Sequence, residues 1–156
     1  MKPDIIEALR EDAAKLDYFY EVVRKFHSAC GHPDGKDVSF LSGEEKQRRM
    51  AWMQEELNEF ATARTIVDQA DALGDLLWFV IGSMVCMGIR PSVIMKPITT
   101  ANMSKIGDDG KVLRRESDGK IQKPEGWVGP EQEMSAIIEK KYGVDANQIM
   151  IDFDKK

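Results

Sequence analysis

The stretch Asp71-Ala72-Leu73-Gly74-Asp75-Leu76-Leu77-Trp78-Phe79-Val80-Ile81 decides the fold. After Asp75, apolar residues occupy nearly every side of the helix that this stretch forms, which is typical of a helix buried within a protein. The apolar run continues to Met87, but glycine and serine interrupt it and aspartates precede it, so it is too short and too acidic for a membrane span. We therefore expect a buried helix of an all-α protein.

Helical periodicity extends on both sides of this stretch. Upstream, apolar residues recur at three- and four-residue steps, and Ser42 with Glu45 has the spacing of a capping box at the start of a further helix. Downstream, Gly88 is suited to end the quoted helix and Pro91 to begin another, which continues past Pro97 with a bend. The four predicted helices span about residues 3–30, 42–65, 68–87 and 91–103.

The sequence changes character after the fourth predicted helix. Residues 105–129 lack a helical period and contain Asp109-Gly110 and Asp118-Gly119, so they predict an irregular or hairpin-like segment with two turns. Residues 130–142 predict a short helix that ends at Gly143. We expect one domain over residues 1–156: a four-helix-type bundle over about 3–104, a long irregular segment and a C-terminal helix.

The composition excludes several classes of protein. The 156 residues include 22 Lys and Arg against 27 Asp and Glu, a net charge of −5, which argues against a binder of nucleic-acid polymers or anionic membranes. Two cysteines and two histidines are too few for a Cys/His zinc centre or a disulfide scaffold, and Cys86 is expected in the core. No secretory pattern follows Met1, so the expected location is the cytoplasm.

Two rows of acidic residues face the short connection between the second and third predicted helices. The aspartates of the third helix lie within an arc of about 60°, and the short connection predicts that the two helices are antiparallel neighbours. We expect Asp71 and Asp75 to face protein, whereas Glu55 and Asp68 lie at the margins. The two rows are Glu55, Glu56 and Glu59 on one helix and Asp68, Asp71 and Asp75 on the other.

Repulsion within this group calls for cations. Two carboxylates about 4 Å apart repel by about 4 kcal/mol at an effective dielectric constant of 20, and Arg64 is the only basic residue nearby in the sequence. Magnesium and manganese are hard divalent cations that prefer oxygen ligands. The pattern therefore predicts a divalent-metal site between the two helices.

Both acidic segments resemble a known superfamily. Glu55-Glu56-Leu57-Asn58-Glu59-Phe60 and Asp71-Ala72-Leu73-Gly74-Asp75-Leu76-Leu77-Trp78 are similar to the EExxE and ExxD helices of the all-α NTP pyrophosphatases, which include MazG, the dimeric dUTPases and phosphoribosyl-ATP pyrophosphohydrolase. Ala101-Asn102-Met103-Ser104-Lys105 and Asp118-Gly119-Lys120-Ile121-Gln122-Lys123-Pro124 resemble the MazG-like branch that hydrolyses deoxynucleoside triphosphates, phage dATP/dGTP enzymes among them. The resemblance covers about residues 20–130.

The resemblance implies an activity and a division of roles. Water would attack the α-phosphorus of a deoxynucleoside triphosphate (dUTP, dCTP, dATP or dGTP) and release pyrophosphate. Two or three Mg²⁺ ions, or Mn²⁺ in their place, would be bound, and Glu55 would orient or deprotonate the water. The segment 105–129 would cover the substrate. The implied metal ligands are Glu56, Glu59, Asp71 and Asp75, with Asp68 as an alternative, and the implied substrate-binding residues are Asn102, Lys105, Lys120 and Lys123.

Three questions stay open at this point. The nucleobase of the substrate would contact one of four aromatic residues, and the sequence favours none of them over the others: Trp52, Trp78, Phe79 and Trp127. Two other classes compete: a non-enzymatic helical interaction module, and a carboxylate-bridged di-metal protein, which needs Glu-x-x-His motifs that His27 and His32 do not provide. Apolar surface beyond what one bundle covers predicts a homodimer or a dimer of dimers through the first and third predicted helices, in the host cytoplasm if a phage encodes the protein.

Overall fold

The computed structural model describes residues 3–148, and α-helices form nearly all of its regular structure. Within these residues the β pairing is a single isolated bridge between Arg114 and Ile121. The all-α prediction is confirmed. The helices are α1 (Pro3–Ala13), α2 (Leu16–Cys30), α3 (Gly43–Thr62), α4 (Ile66–Met87), α5 (Pro91–Met103) and α6 (Glu131–Tyr142).

The described residues form two compact units. The first unit contains residues 3–16 and 91–148, and therefore α1, α5 and α6. The second unit contains residues 17–90, and therefore α3, α4 and nearly all of α2. The expectation of one domain over the whole chain stays a prediction.

The first predicted helix is wrong in one respect, because residues 3–30 form two helices. At the break the amides of Ala14 and Lys15 bond to the carbonyls of Glu11 and Asp12 at 3.1 and 3.0 Å, the tighter three-residue spacing of a 3₁₀ turn. Alanine and lysine are both good helix formers, so local propensity gives no sign of this break. Packing explains it, since α1 packs on α5 within the first unit whereas α2 belongs to the second.

Capping residues set the ends of α3 and α4. The Ser42 hydroxyl accepts a hydrogen bond from the Glu45 amide at 3.2 Å, which is one half of the predicted capping box. The Glu45 carboxylate binds Arg48 and Arg49 instead of completing the box. The helix α3 ends at Thr62, before the predicted end, because the next residue has an extended backbone. Thr65 then caps α4: its hydroxyl accepts from the Asp68 amide at 3.0 Å, and the Asp68 carboxylate accepts from the Thr65 amide at 3.2 Å. This capping box starts α4 two residues before the predicted position.

The core of the second unit lies between α2 and the C-terminal half of α4. Tyr20 and Val23 of α2 pack against Ile81 and Val85 of α4, with Trp78 and two other partly buried side chains around them. These residues recur at three- and four-residue steps on each helix, the pattern that predicted their burial.

A buried polar network lies beside this core. The Arg49 guanidinium, 2% exposed, donates to Glu45 at 2.8 Å, to the Cys86 sulfur at 3.2 Å and to Nε2 of His27 at 3.4 Å. Nδ1 of His27 lies 2.8 Å from the Pro33 carbonyl oxygen. Because a carbonyl only accepts, Nδ1 carries the proton and Nε2 is the acceptor for Arg49. The network ties α2, α3 and α4 together.

Gly82 and Cys86 are the α4 residues that face this network. A Cβ added at Gly82 would lie 2.6 Å from a terminal nitrogen of Arg49 and 3.0 Å from Nε2 of His27, so the missing side chain makes room for the guanidinium. Burial raises the pKa of the Cys86 thiol, which therefore stays protonated and unreactive. The expectation of Cys86 in the core is confirmed.

The N-terminal half of α4 departs from the expectation of burial on all sides. Leu73 and Leu77 are 50% and 46% exposed, because no other part of the described chain covers this face. The expectation that this stretch is too short and too acidic for a membrane span is corrected in one respect, because α4 has 22 residues and by length and composition alone could cross a membrane. Core helices of soluble proteins meet the same two criteria. The large exposed apolar side chains of α3 and α4 are Met50, Leu57, Phe60, Ile66, Val67, Leu73 and Leu77.

In the first unit, ionic contacts join its three helices. Nη1 of Arg10 on α1 donates to the Thr100 hydroxyl of α5 at 2.9 Å and lies 2.7 Å from the Glu133 carboxylate of α6. Lys96 of α5 pairs with Glu11 of α1 at 2.6 Å. The helix α5 continues across Pro97, and α6 ends at a left-handed Gly143, both as predicted.

The segment after α5 contains the predicted hairpin-like turn. The Arg115 amide bonds to the Lys120 carbonyl and the Gln122 amide to the Leu113 carbonyl, each at 2.8 Å. Gly119 has a φ of 71° at the tip, which a residue with a side chain adopts with difficulty. The expected turn at Asp118-Gly119 is thereby confirmed.

The buried network predicts that acid destabilises the protein. Burial, and after it the charge of Arg49, lowers the pKa of His27, although the hydrogen bond to Pro33 and the carboxylate of Asp34 oppose the shift. The unfolded chain therefore binds a proton before the folded protein does as the pH falls below about 6.5. The free energy of unfolding should then decline by up to about 1.4 kcal/mol per pH unit.

Urea denaturation between about pH 7.5 and pH 5.5 measures this slope. The matched variant is His27→Gln, whose amide can replace both hydrogen bonds but does not titrate, and a flatter profile is expected for it. Identical slopes for the two proteins would contradict the assignment. Burial raises the pKa of Glu45, but the hydrogen bond and charge of Arg49 lower it below its usual value. The ionised Glu45 therefore stops stabilising the fold only at more acidic pH, below about 4.5.

Candidate active site

The predicted antiparallel pairing of α3 and α4 sets the geometry of the acidic residues. The rings of Trp52 and Phe79 lie 5.4 Å apart, and one turn further along each helix Glu56 and Asp75 interact electrostatically. Near the connection Glu59 and Asp71 line the same cavity. In these three pairs the residue number increases along α3 and decreases along α4, which confirms that the helices run antiparallel.

Glu56 is the central residue of this group. Its side chain is buried on α3, and burial raises the pKa of its carboxyl group. The charges of Glu59, Asp75, Glu55 and Asp71, in decreasing order, raise this pKa further. No Lys or Arg of residues 3–148 forms an ion pair with any of these five acids. The group thus holds mutual repulsion that this part of the chain does not neutralise.

The other four acids are exposed, which corrects one expectation. Asp71 and Asp75 were expected to face protein, but both face solvent in this chain. Ala72 occupies the buried position between them, at 2% exposed. At about 100° per residue, Leu73 and Leu77 lie on nearly the opposite side of α4 from the two aspartates, so both sides of the N-terminal half of this helix are exposed.

Asp68 has a structural role of its own. Its carboxylate accepts the Thr65 amide in the capping box and also lines the cavity shared by Glu59 and Asp71. This cavity has a volume of about 360 Å³ and includes Arg64 in its wall. The sequence shows Asp68 three residues before Asp71 but does not show that α4 begins at Ile66, so it gives no indication of the cap.

The donor set fits a hard divalent cation by its chemistry. All five side chains are carboxylates, the ligands that magnesium and manganese prefer, and their uncompensated charges raise the pKa of the buried one. Among the described residues, however, no three Asp, Glu, His or Cys side chains lie close enough together to hold an ion in their present conformations. Because four of the five acids are exposed, their side chains have room to change rotamer.

The aromatic residues divide between core and site margin. Trp78 packs edge-on against Phe19 at 5.8 Å and Phe26 at 5.3 Å, and so belongs to the core of the second unit. Trp52 and Phe79 lie one helical turn from Glu56 and Asp75, on the faces of α3 and α4 that contain these acids. The Arg49 guanidinium lies over Trp52, 5.2 Å from the ring centroid.

The predicted substrate-binding residues lie together in the first unit. Nζ of Lys105 donates to the Asn102 side chain at 2.7 Å. The ammonium groups of Lys105 and Lys123 lie 5.3 and 4.3 Å from the ring centroid of Trp127. Lys120 and Lys123 line a second cavity of about 460 Å³. The structure thus joins the four residues through Lys123.

Other basic residues of this segment pair locally. Arg115 forms an ion pair with Asp118, Arg114 donates to the Gly119 carbonyl at 3.0 Å, and Lys111 lies 3.5 Å from Asp109. These contacts stabilise the turns.

Sequence reasoning missed the buried network of Glu45 and Arg49. Their spacing of four residues was the available signal, since it places a carboxylate and a guanidinium on one helix face. Their burial depends on the packing of three helices and has no signature in the sequence.

Comparison with known proteins adds the family. Residues 23–102 match the model of the phosphoribosyl-ATP pyrophosphohydrolase family, which is more than half of the chain and includes both acidic helices. A solved structure from Exiguobacterium sp. 255-15, described as a candidate NTP pyrophosphohydrolase, is 26% identical, with 78% of this chain and 94% of that chain covered and a TM-score of 0.43. No curated protein matches. On the strength of the family match, the chain belongs to the phosphoribosyl-ATP pyrophosphohydrolase family and is a nucleotide pyrophosphohydrolase.

Proposed function

We propose that this pyrophosphohydrolase acts on deoxynucleoside triphosphates and requires Mg²⁺, with Mn²⁺ as a substitute. The observation that supports the metal is the raised pKa of Glu56, a buried carboxyl group beside four other acids and without a basic partner in the described chain. The resemblance of the sequences around Asn102 and Lys120 to the MazG-like branch supports the deoxynucleotide.

The acids divide into ligands and a base. Glu56, Glu59, Asp71 and Asp75 would hold two or three ions, which polarise phosphate oxygens and lower the pKa of a bound water when present. Glu55 is an exposed residue of α3, directly before the buried Glu56. In this proposal it accepts the proton of the attacking water and orients that water towards the α-phosphorus.

The lysines of the first unit supply positive charge for phosphate oxygens. Lys105, oriented by Asn102, and the pair Lys120 and Lys123 are free of ion pairs within residues 3–148. Unpaired ammonium groups keep their full charge for an anionic ligand, and ammonium groups are common ligands of phosphate.

Pyrophosphate release from a panel of triphosphates tests the proposal. The panel contains the canonical deoxynucleotides, dUTP and the ribonucleotides, each with Mg²⁺, with Mn²⁺ and with a chelator. We expect release from at least one deoxynucleotide only when a divalent ion is present. Glu59→Gln should abolish release and leave the far-ultraviolet circular dichroism unchanged, because it removes one ligand and relieves repulsion.

Two outcomes would contradict this proposal. Wild-type turnover by Glu59→Gln would show that the wrong carboxylates have been chosen. Release that persists in the chelator, with no rise of the melting temperature on adding either metal, would remove the metal from the proposal.

A pair of variants distinguishes Asp75 from Asp68, the alternative metal ligand on α4. Asp75→Asn should lower kcat/KM by at least about 100-fold, because it removes a metal ligand. Asp68→Asn should stay within about threefold of the wild type, because an asparagine oxygen can still accept the Thr65 amide of the capping box. The opposite order of effects would assign the ligand role to Asp68.

We also propose that the protein assembles as a homodimer, or as a dimer of two dimers. Support comes from the uncovered face of α4, where Leu73 and Leu77 are about half exposed, and from the exposed Leu57 and Phe60 of α3. Exposed large apolar side chains favour association with a second copy of the chain.

Light scattering after size exclusion measures the assembly. The double variant Leu73→Lys/Leu77→Lys should elute as a monomer, since two charges would be buried unpaired in the interface. The control is Leu113→Lys, which changes a leucine of similar exposure, 57%, in the first unit and should leave the oligomer intact. A monomeric wild-type protein would refute this assembly.

A further inference from the structure

Trp127 occupies an unusual position in the first unit. Its indole N–H donates to the carbonyl of Ala101, a buried residue of α5, at 2.6 Å. Its backbone amide bonds to the Pro124 carbonyl at 3.1 Å. These two bonds fix the half-buried ring beside the end of α5, although the residue itself lies outside any helix.

Two lysines from different parts of the chain meet over this ring. Lys105 follows the last turn of α5, whereas Lys123 follows the hairpin-like turn. Both ammonium groups lie within cation–π distance of the ring centroid, at 5.3 and 4.3 Å. In the described residues neither lysine has a carboxylate partner. Two like charges are thus held beside one ring, and the structure supplies no anion between them.

The contacts of the ring distinguish Trp127 from the other candidate aromatics. Trp52, Trp78 and Phe79 each contact another aromatic ring in the second unit. The ring contacts of Trp127 are with two cations, which lie over it where a nucleobase would stack. The arrangement therefore argues for a role with phosphate and against one with the base.

We propose that Trp127 is a positioning residue that holds Lys105 and Lys123 ready for the phosphate oxygens of the polyphosphate group. A free lysine side chain loses rotamer freedom when it binds, and a ring that fixes the ammonium group beforehand reduces this loss. Asn102 fixes Lys105 from its other side at 2.7 Å. The inference rests on the proposed use of these lysines for substrate phosphates.

Calorimetric titration with inorganic tripolyphosphate in a chelator tests the inference without hydrolysis. Trp127→Leu keeps apolar volume but removes the ring, and it should weaken binding about 5- to 30-fold, as expected for two lost cation–π contacts. Trp127→Phe keeps a ring and should recover most of this loss. With a triphosphate substrate, Trp127→Leu should raise KM and leave kcat within about twofold.

A double-mutant cycle separates positioning from simple structural support. In a protein with Lys105→Met and Lys123→Met, adding Trp127→Leu should change tripolyphosphate binding no further, because the groups that Trp127 positions are absent. The inference would be overturned if Trp127→Leu bound tripolyphosphate as tightly as the wild type. It would also be overturned if Trp127→Leu weakened binding equally in the protein that lacks Lys105 and Lys123. Urea denaturation of each variant confirms that it is folded before binding is compared.

The same titration keeps this inference apart from the proposed function. Trp127-dependent binding of tripolyphosphate without pyrophosphate release from any triphosphate would leave the inference standing and refute the function. Release of pyrophosphate from a triphosphate, together with tripolyphosphate binding that does not depend on Trp127, would support the function and refute the inference.

Discussion

Repulsion among the carboxylates of α3 and α4 is the constraint on which the rest of the structure depends. Antiparallel pairing brings Asp71 and Asp75 near the buried Glu56, beside Glu55 and Glu59 of its own helix, and burial with these four charges raises its pKa. An apolar pair of faces would not repel in this way, so the acids reduce the stability of the helix pair. The network around Arg49 and Glu45 fixes α3 on α2 and α4 at the other end of the helix pair, and so compensates in part.

Local sequence patterns predict the helices of this protein well. Ser42 caps α3 and Gly143 ends α6, as the sequence predicts. The break at Ala14 was not predictable from propensity, because nothing in the residues themselves disfavours a helix there. It depends on which partner each half packs against, which is information that a local pattern does not contain.

The candidate site was predictable in its residues and less so in its environment. Helical spacing and chain connectivity are enough to place Glu56 near Asp75, and the structure agrees. The same reasoning expected Asp75 to be covered, since it assumed that an apolar helix is buried on every side within one chain. Exposure of Leu73 and Leu77 shows that this assumption fails for half of α4. Lys123 and Trp127 lie in one segment without periodicity, so no sequence rule anticipates their contact.

The capping box at the start of α4 has a consequence for the proposed ions. Asp68 holds the first turn of the helix to Thr65, and Asp71 lies in the turn that follows. Fraying that spread from that first turn past Asp71 would change the spacing between Asp71 and Asp75, and with it the distance between two proposed ligands. Helix-end stability and cation affinity are therefore thermodynamically linked: an ion that binds both aspartates also favours the capped helix, and a weaker cap lowers the affinity for the ion.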